Sequence, residues 1–261
     1  MQPEILTAAT TPEWLSTLTC VWMLLALTVA VALFFINAPY GRHNPGTWGP
    51  AVNARLGWIL MESPAVVVPT VFFVGVRGWE MPVMGVFFLI WQIHYVYRGW
   101  IYPFCLSKAS SPMPVLLMVC GMLFNTVNGS LLGAWLFIHP AIVDSRWLAS
   151  WPFVAGGVLF GIGMAVNFDS SWRLLRLRRD NRAGYYIPRG GMFRWVSCPN
   201  YLGEIVEWLG WALLTWSPSG LAFAAWTIAN LVPRSWAHHS WYRERFPEYP
   251  AKRKALVPGF F

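Results

Sequence analysis

Charge is what this sequence has least of. Only 11% of its 261 residues are Asp, Glu, Lys or Arg, against 56% hydrophobic residues, and that is less than half the charge of an ordinary water-soluble domain. Such scarcity excludes a chain whose surface meets water on all sides. Cysteine is scarce as well: Cys20, Cys105, Cys120 and Cys198 have no metal-ligand or redox spacing, so free thiols are expected. The pair His238-His239 lacks nearby Cys or spaced carboxylates, and no metal is expected there. No G-x-G-x-x-G follows a strand pattern, which excludes a Rossmann site. The stretch GGVLFGIG at 156–163 reads instead as small residues at a helix–helix interface. With no internal repeat, low-complexity segment or long linker, a single domain over residues 1–261 is the simplest organisation.

What the chain does have is long apolar runs between short polar loops, with 18 Trp, 17 Phe and 9 Tyr. Hydrocarbon is the better solvent for such runs, and only helices or closed barrels satisfy their backbone there. Spans are read at roughly 15–36, 56–76, 81–97, 113–138, 147–168, 201–216 and 219–236. The expected fold is therefore all-α: a polytopic membrane protein of seven transmembrane helices with cytoplasmic loops. The first run is too long and too poorly flanked by positive charge for a signal peptide, and is expected to stay as an anchor. Orientation follows from Lys and Arg. With a cytoplasmic C-terminus, Arg77 and Arg146 alone of the 19 basic residues face outward, while Arg42, Arg55, Arg98, Lys108, loop 169–200 and the tail face the cytosol. The net charge of +8 is thereby explained by topology without nucleic acid.

Polar side chains inside the spans each cost roughly 2–3 kcal/mol or more at the bilayer centre and need a partner or a task. Glu62, Gln92, His94, Tyr95, Asn167, Glu204 and Glu207 all fall in the cytoplasmic half of this topology, with Asn125 and Asn128 deeper. Glu62 sits roughly 9 Å inside its helix at about 1.5 Å per residue. Desolvation there disfavours the anion, so its carboxyl is expected to be a neutral hydrogen-bond donor. The structural alternative is a bond to a neighbouring helix or snorkelling, but Pro64 and Pro69 free carbonyls and bend the helix around this position. With Tyr95 on the same side, two neutral donors can form an oxyanion hole for a ketone that becomes an enolate.

Loop 169–200 carries Arg173, Arg176, Arg178, Arg179, Arg182, Arg189 and Arg194 against Asp169 and Asp180. Positive-inside charge and an interfacial helix with Trp172, Leu174 and Leu175 toward lipid account for much of this. IPRGGMFRW suits a turn approaching a ligand, and PNYLGEIVEW leads from a polar loop into a helix bearing two acids. A phosphate-bearing cofactor entering from the cytosol needs this mixture of Arg, backbone N–H, amide and acid.

The stretches IPRGGMFRWVSCPNYLGEIVEWLGWALLTWS (187–217) and NLVPRSWAHHSWYRERFPEYPAKRKALVPGFF (230–261), with NFDSSWRLLRLR, VNGSLLGAW, IHYVYRGWIYP and ESP upstream, resemble the steroid 5α-reductase family. That resemblance implies a seven-helix membrane reductase that uses NADPH to saturate the Δ4 double bond of a 3-oxo steroid. It implies hydride transfer to C5 on the α face, a C3 carbonyl polarised by Glu62 and Tyr95, and protonation at C4. By motif it assigns the cofactor to Asn167, Ser171, Arg178, Tyr185, Asn200, Glu204, Arg234, His238 and Tyr242, with the C-terminal tail closing the cofactor pocket. Trp58 and Phe124 are candidate walls of the sterol slot. Two positions depart from the pattern: Met61 stands where Gln commonly precedes the Glu, and Ser171 where Asp is common. Lys108 is a candidate basic contact of its loop.

The implied partners are a 3-oxo-Δ4-steroid entering from lipid, and membrane lipid itself. Localisation follows the host, the endoplasmic reticulum in a eukaryote or the inner membrane in a bacterium. Alternatives are a polyprenol or trans-2-enoyl-CoA reductase, an isoprenylcysteine-type methyltransferase using S-adenosylmethionine, and a transporter or structural bundle.

Overall fold

The computed structural model describes residues 12–36, 49–106, 111–180 and 185–261. Arg42, Lys108 and Arg182, used above for topology or as a loop contact, lie outside the described residues. The helices are α1 (Glu13–Phe35), α2 (Ala54–Gly75), α3 (Pro82–Tyr95), the short α4 (Tyr102–Cys105), α5 (Val115–Gly133), α6 (Trp151–Asp180), α7 (Pro199–Thr215) and α8 (Pro218–Arg245). The two-residue strands β1 (Ala51–Val52) and β2 (Met113–Pro114) pair antiparallel. Local chemistry sets several starts. The Asn53 side chain accepts from the Arg55 N–H ahead of α2, Ser217 accepts from Gly220 ahead of α8, and proline occupies the first turns of α3, α7 and α8.

Four of these helical segments are long and apolar enough to cross a membrane: Glu13–Phe35, Ala54–Gly75, Val115–Ile138 and Trp151–Arg178. The fold is thus all-α in its long elements and suited to a bilayer. Alone, α3 has 14 residues, about 21 Å at 1.5 Å per residue, short of a hydrocarbon core of about 30 Å. Its helical path continues through a wide π-type turn at Val96–Ile101 into α4, and a second such turn, Ala134–Ile138, extends α5.

The segment after residue 168, expected as a charged loop holding an interfacial helix, is instead a direct continuation of α6, which runs on to Asp180. Its Leu and Arg residues are good helix formers, and Arg173 Nε donates to Asp169 Oδ2 one turn back at 2.7 Å. Leu175, expected toward lipid, is instead buried with Ala54, Trp58, Leu106 and Met113. Apolar cover was available from α2 and the chain around β2, so the leucine turned inward.

Packing explains two further sequence features. A Cβ on Gly163 or Gly203 would strike the backbone of the facing helix, and the same holds for Gly156 and Gly210, so α6 and α7 touch main chain to main chain. Gly157 and Gly161 face open space and contribute nothing to that seam. In α2, Pro69 has no N–H for the Ala65 carbonyl, and the Trp91 indole of α3 supplies the missing donor at 2.7 Å. Gln92 donates to the Val66 carbonyl at 3.0 Å. The main core then stacks Phe87, Trp91 and Tyr95 of α3 against Trp208 and Trp211 of α7 and Phe223 of α8.

Candidate active site

The buried stripe of α2 includes Trp58 and Glu62, one turn apart, and that of α3 ends at His94 and Tyr95. Both meet where the wide turn after Tyr95 brings Arg98 back toward α2. Gly99 makes that approach possible, since a Cβ there would lie 2.9 Å from the Glu62 Cβ. Glu62 is 7% exposed and Tyr95 4%. Glu62 Oε2 accepts from Asn125 Nδ2 of α5 at 3.1 Å, and the same amide donates to the Met61 carbonyl at 2.8 Å. Arg98 Nε lies 3.8 Å from Glu62 Oε1, while Arg98 Nη2 lies 4.0 Å from Glu204 Oε2 of α7. The guanidinium also sits 4.7 Å over the Trp58 ring.

All but one of the residues assigned to the cofactor fall on three helix faces; Tyr185 lies in the chain between α6 and the turn at Gly191–Arg194. On α6, Asn167, Ser171 and Arg178 lie along one stripe, which exists because the helix runs past residue 168. On α7, Asn200 and Glu204 are one turn apart, as are Arg234, His238 and Tyr242 on α8. The structure brings Asn167, Asn200 and Glu204 together: Asn167 Nδ2 donates to the Asn200 carbonyl at 2.9 Å and to Glu204 Oε2 at 3.4 Å. Arg234 and His238 gather instead around Tyr201, with the guanidinium 5.6 Å over its ring and His238 Nε2 3.1 Å from its hydroxyl. Tyr185 packs edge-on to Trp241, and Arg178 is exposed. Tyr242 is buried and stacks on Tyr249 of the tail. Ser171 is buried, and Phe124 packs among Trp22, Phe223 and Trp226.

Three features escaped the sequence reading. Arg98 counted only toward topology, yet it joins Glu62 to Glu204. His94 and Glu207 were noted as separate intramembrane polar groups, but His94 Nδ1 lies 2.6 Å from Glu207 Oε1. Ahead of α7, Ser197 Oγ lies 2.6 Å from both His239 Nδ1 of α8 and the Tyr249 hydroxyl of the tail. Lys254 N–H donates to the Trp195 carbonyl and Ser197 N–H to the Lys254 carbonyl. This ties the C-terminal strap beside the turn at Gly190 and Gly191, whose φ values of 82° and 48° favour glycine. His239 lies beyond the last apolar span, and burial first, then Arg243, Arg253 and Lys254, hold its pKa below the ordinary histidine range. Among the described residues no group of His, Cys, Asp and Glu is arranged to hold a metal, and none of Cys20, Cys105, Cys120 and Cys198 is in a disulfide. A shallow groove of about 380 Å³ between Ala165, Val166 and Asp169 and the 191–195 turn includes neither Glu62 nor Tyr95.

A sequence model of the family described as 3-oxo-5-alpha-steroid 4-dehydrogenase matches residues 111–261. Steroid 5-alpha-reductase DET2 of Arabidopsis thaliana is 42% identical over 236 residues, covering 88% of this chain and 90% of that protein. The 3-oxo-5-alpha-steroid 4-dehydrogenase 1 of Bos taurus is 35% identical over 241 residues, 90% of this chain and 92% of that protein. Its Homo sapiens counterpart is 37% identical over 230 residues, with 86% and 87% covered.

Proposed function

Since the chain belongs to the 3-oxo-5-alpha-steroid 4-dehydrogenase family, we propose that it reduces the Δ4 double bond of a 3-oxo-steroid, with Glu62 and Tyr95 polarising the C3 carbonyl. The observation that carries this reading is the burial of both Glu62 and Tyr95, with Arg98, from the turn that follows Tyr95, reaching Glu62 and, on the cofactor side, Glu204.

The donor set on α6, α7 and α8 has the chemistry NADPH requires. Arg178 and Arg234 supply guanidinium groups for phosphate, and Asn167, Asn200 and Glu204 supply amide, carbonyl and carboxyl partners for carboxamide and ribose. NADPH bound there supplies the hydride. The protein's own part is electrostatic. A conjugated enone accepts hydride as negative charge grows on its oxygen, so donors that meet that charge in the transition state raise the rate. Two carboxyls, Glu62 and Glu204, share the single guanidinium of Arg98, which leaves one of them best kept protonated away from water. Glu62 is the more buried, with a side chain 9% exposed against 17% for Glu204, and takes that role. Its O–H and the Tyr95 O–H then both donate to the substrate oxygen. Asn125 fixes the far oxygen of Glu62, and Trp58 under Arg98 forms an apolar wall for the sterol.

We read α1, α2, α3 with its continuation into α4, α5, α6, α7 and the part of α8 up to about residue 236 as seven spans, with the cofactor side and C-terminus cytoplasmic, the steroid entering from lipid and NADPH from water. Of the alternatives, polyprenol and enoyl-CoA reductases share the hydride donor but not the substrate class in the relatives' names, and a methyltransferase leaves the arginines unused. The test is purified protein in detergent with NADPH and progesterone, following absorbance at 340 nm and the saturated product. Steroid-dependent oxidation with 5α-reduced product is expected. Binding of S-adenosylmethionine with no NADPH oxidation would overturn the reading.

A further inference from the structure

We propose that His94 and Glu207 form a positioning pair that holds Tyr95 in place for ketone polarisation, an inference that rests on the role given to Tyr95 above. The two side chains are 6% and 0% exposed, and His94 Nδ1 lies 2.6 Å from Glu207 Oε1. Each has its chain neighbour in the same contact. Tyr95 follows His94, Trp208 follows Glu207, and the Trp208 ring packs edge-on to His94 at 4.6 Å and against Tyr95 at 5.8 Å. One short polar bond and two ring contacts therefore clamp the last residue of α3 to α7.

A clamp has work to do at this point in the chain. Regular α-helix ends at Tyr95 and the wide turn begins at Val96, so the backbone beyond does not by itself hold the phenol's direction. The Glu207 backbone is in turn packed directly on α6: a Cβ at Gly163 would strike its nitrogen and Cα. Stability alone is a poor reason for the pair. Glu207 Oε2 is buried and has no hydrogen-bond partner among the described residues, and a half-satisfied polar pair stabilises less than an apolar one of the same shape. Glu207 also continues the α7 face that carries Asn200 and Glu204. One rigid helix thus presents groups to the cofactor side and, a turn deeper, grips the residue that polarises the ketone.

The experiment is a double-mutant cycle between Glu207→Leu and Tyr95→Phe, with kcat for progesterone reduction measured at saturating NADPH and NADPH affinity measured separately. Glu207→Leu should lower kcat about 10²-fold, the scale of a 1 Å misplacement, with NADPH affinity kept within about two-fold. Glu207→Gln, which keeps an acceptor oxygen, should recover much of the loss. In the Tyr95→Phe background Glu207→Leu should slow turnover no further. Equal slowing in both backgrounds would overturn the proposal, as would an unchanged kcat in Glu207→Leu. If Tyr95→Phe alone keeps the normal rate, the reading of the site fails instead. Should Glu207→Leu not fold, His94→Leu, which removes the other partner of the pair, runs the same cycle with the same deciding comparison.

Discussion

At the scale of single residues, the account depends on how a few polar groups are kept in register where water is absent. Asn125 supplies both the carboxyl of Glu62 and the carbonyl of Met61 with a donor. Asn125→Leu strands the buried Glu62 oxygen and removes a second bond to the part-buried Met61 carbonyl, so a loss of about 1–3 kcal/mol in stability is expected, together with slower turnover. Thermal unfolding in detergent measures the first, and an unchanged midpoint with normal activity would contradict the assignment. His239 gives a pH-dependent expectation. Its folded pKa is depressed by burial and by Arg243, Arg253 and Lys254, so the unfolded chain binds the proton more readily than the folded one. Its contribution is fully present above the unfolded histidine pKa, near 6.5, and is lost as pH falls through the lower folded value. Protease resistance of the tail should therefore decline on acidification, and His239→Gln should flatten that dependence. An identical pH profile in the variant would remove His239 from the strap.

At the scale of elements, glycine spacing separates structural from idle positions. Gly163→Ala places a methyl on the Glu207 backbone and should destabilise by about 1–3 kcal/mol. Gly157→Ala, facing open space, should be neutral or slightly stabilising. Unfolding midpoints of the two variants check this, and equal behaviour would deny the seam. The helices themselves were legible in the sequence, because apolar runs and proline-led starts are local signals. Their ends were less so. The extension of α6 to Asp180 read as a separate interfacial helix in a charged loop, since its burial of Leu175 depends on α2 and β2, more than fifty residues away in sequence. The candidate site was legible as a set of intramembrane polar residues, Glu62 and Tyr95 among them. The partners of those residues were not: His94 and Glu207 are separated by 113 positions, and Arg98 was masked by its usefulness in the topology argument. Local pattern names residues, whereas pairing across helices is decided by packing.

At the scale of the whole molecule, the last residues pack onto the helices rather than hanging as an appendage, and under the proposed reading they close the cofactor side. The strap hydrogen-bonds beside residues 195–198, and Leu256 is buried against Ile205 and Leu231. Removing residues 246–261 should leave the membrane helices folded while weakening NADPH binding by more than about 10-fold, the loss expected when several ordered contacts go together. Equilibrium binding to the purified truncation tests this, and retained affinity would separate the tail from the cofactor side. The orientation has its own check. An impermeant thiol reagent should label a cysteine placed at residue 260 from the cytoplasmic side alone, and labelling from the opposite side would invert the topology.

The most direct measurement is the rate of progesterone-dependent NADPH oxidation by purified Glu62→Gln and Tyr95→Phe, with NADPH affinity measured in parallel. Loss of one donor to a developing oxyanion slows such reactions by about 10²–10³-fold, so each variant should fall by that order while binding NADPH nearly as the parent does. Near-parental rates in both variants would contradict the account.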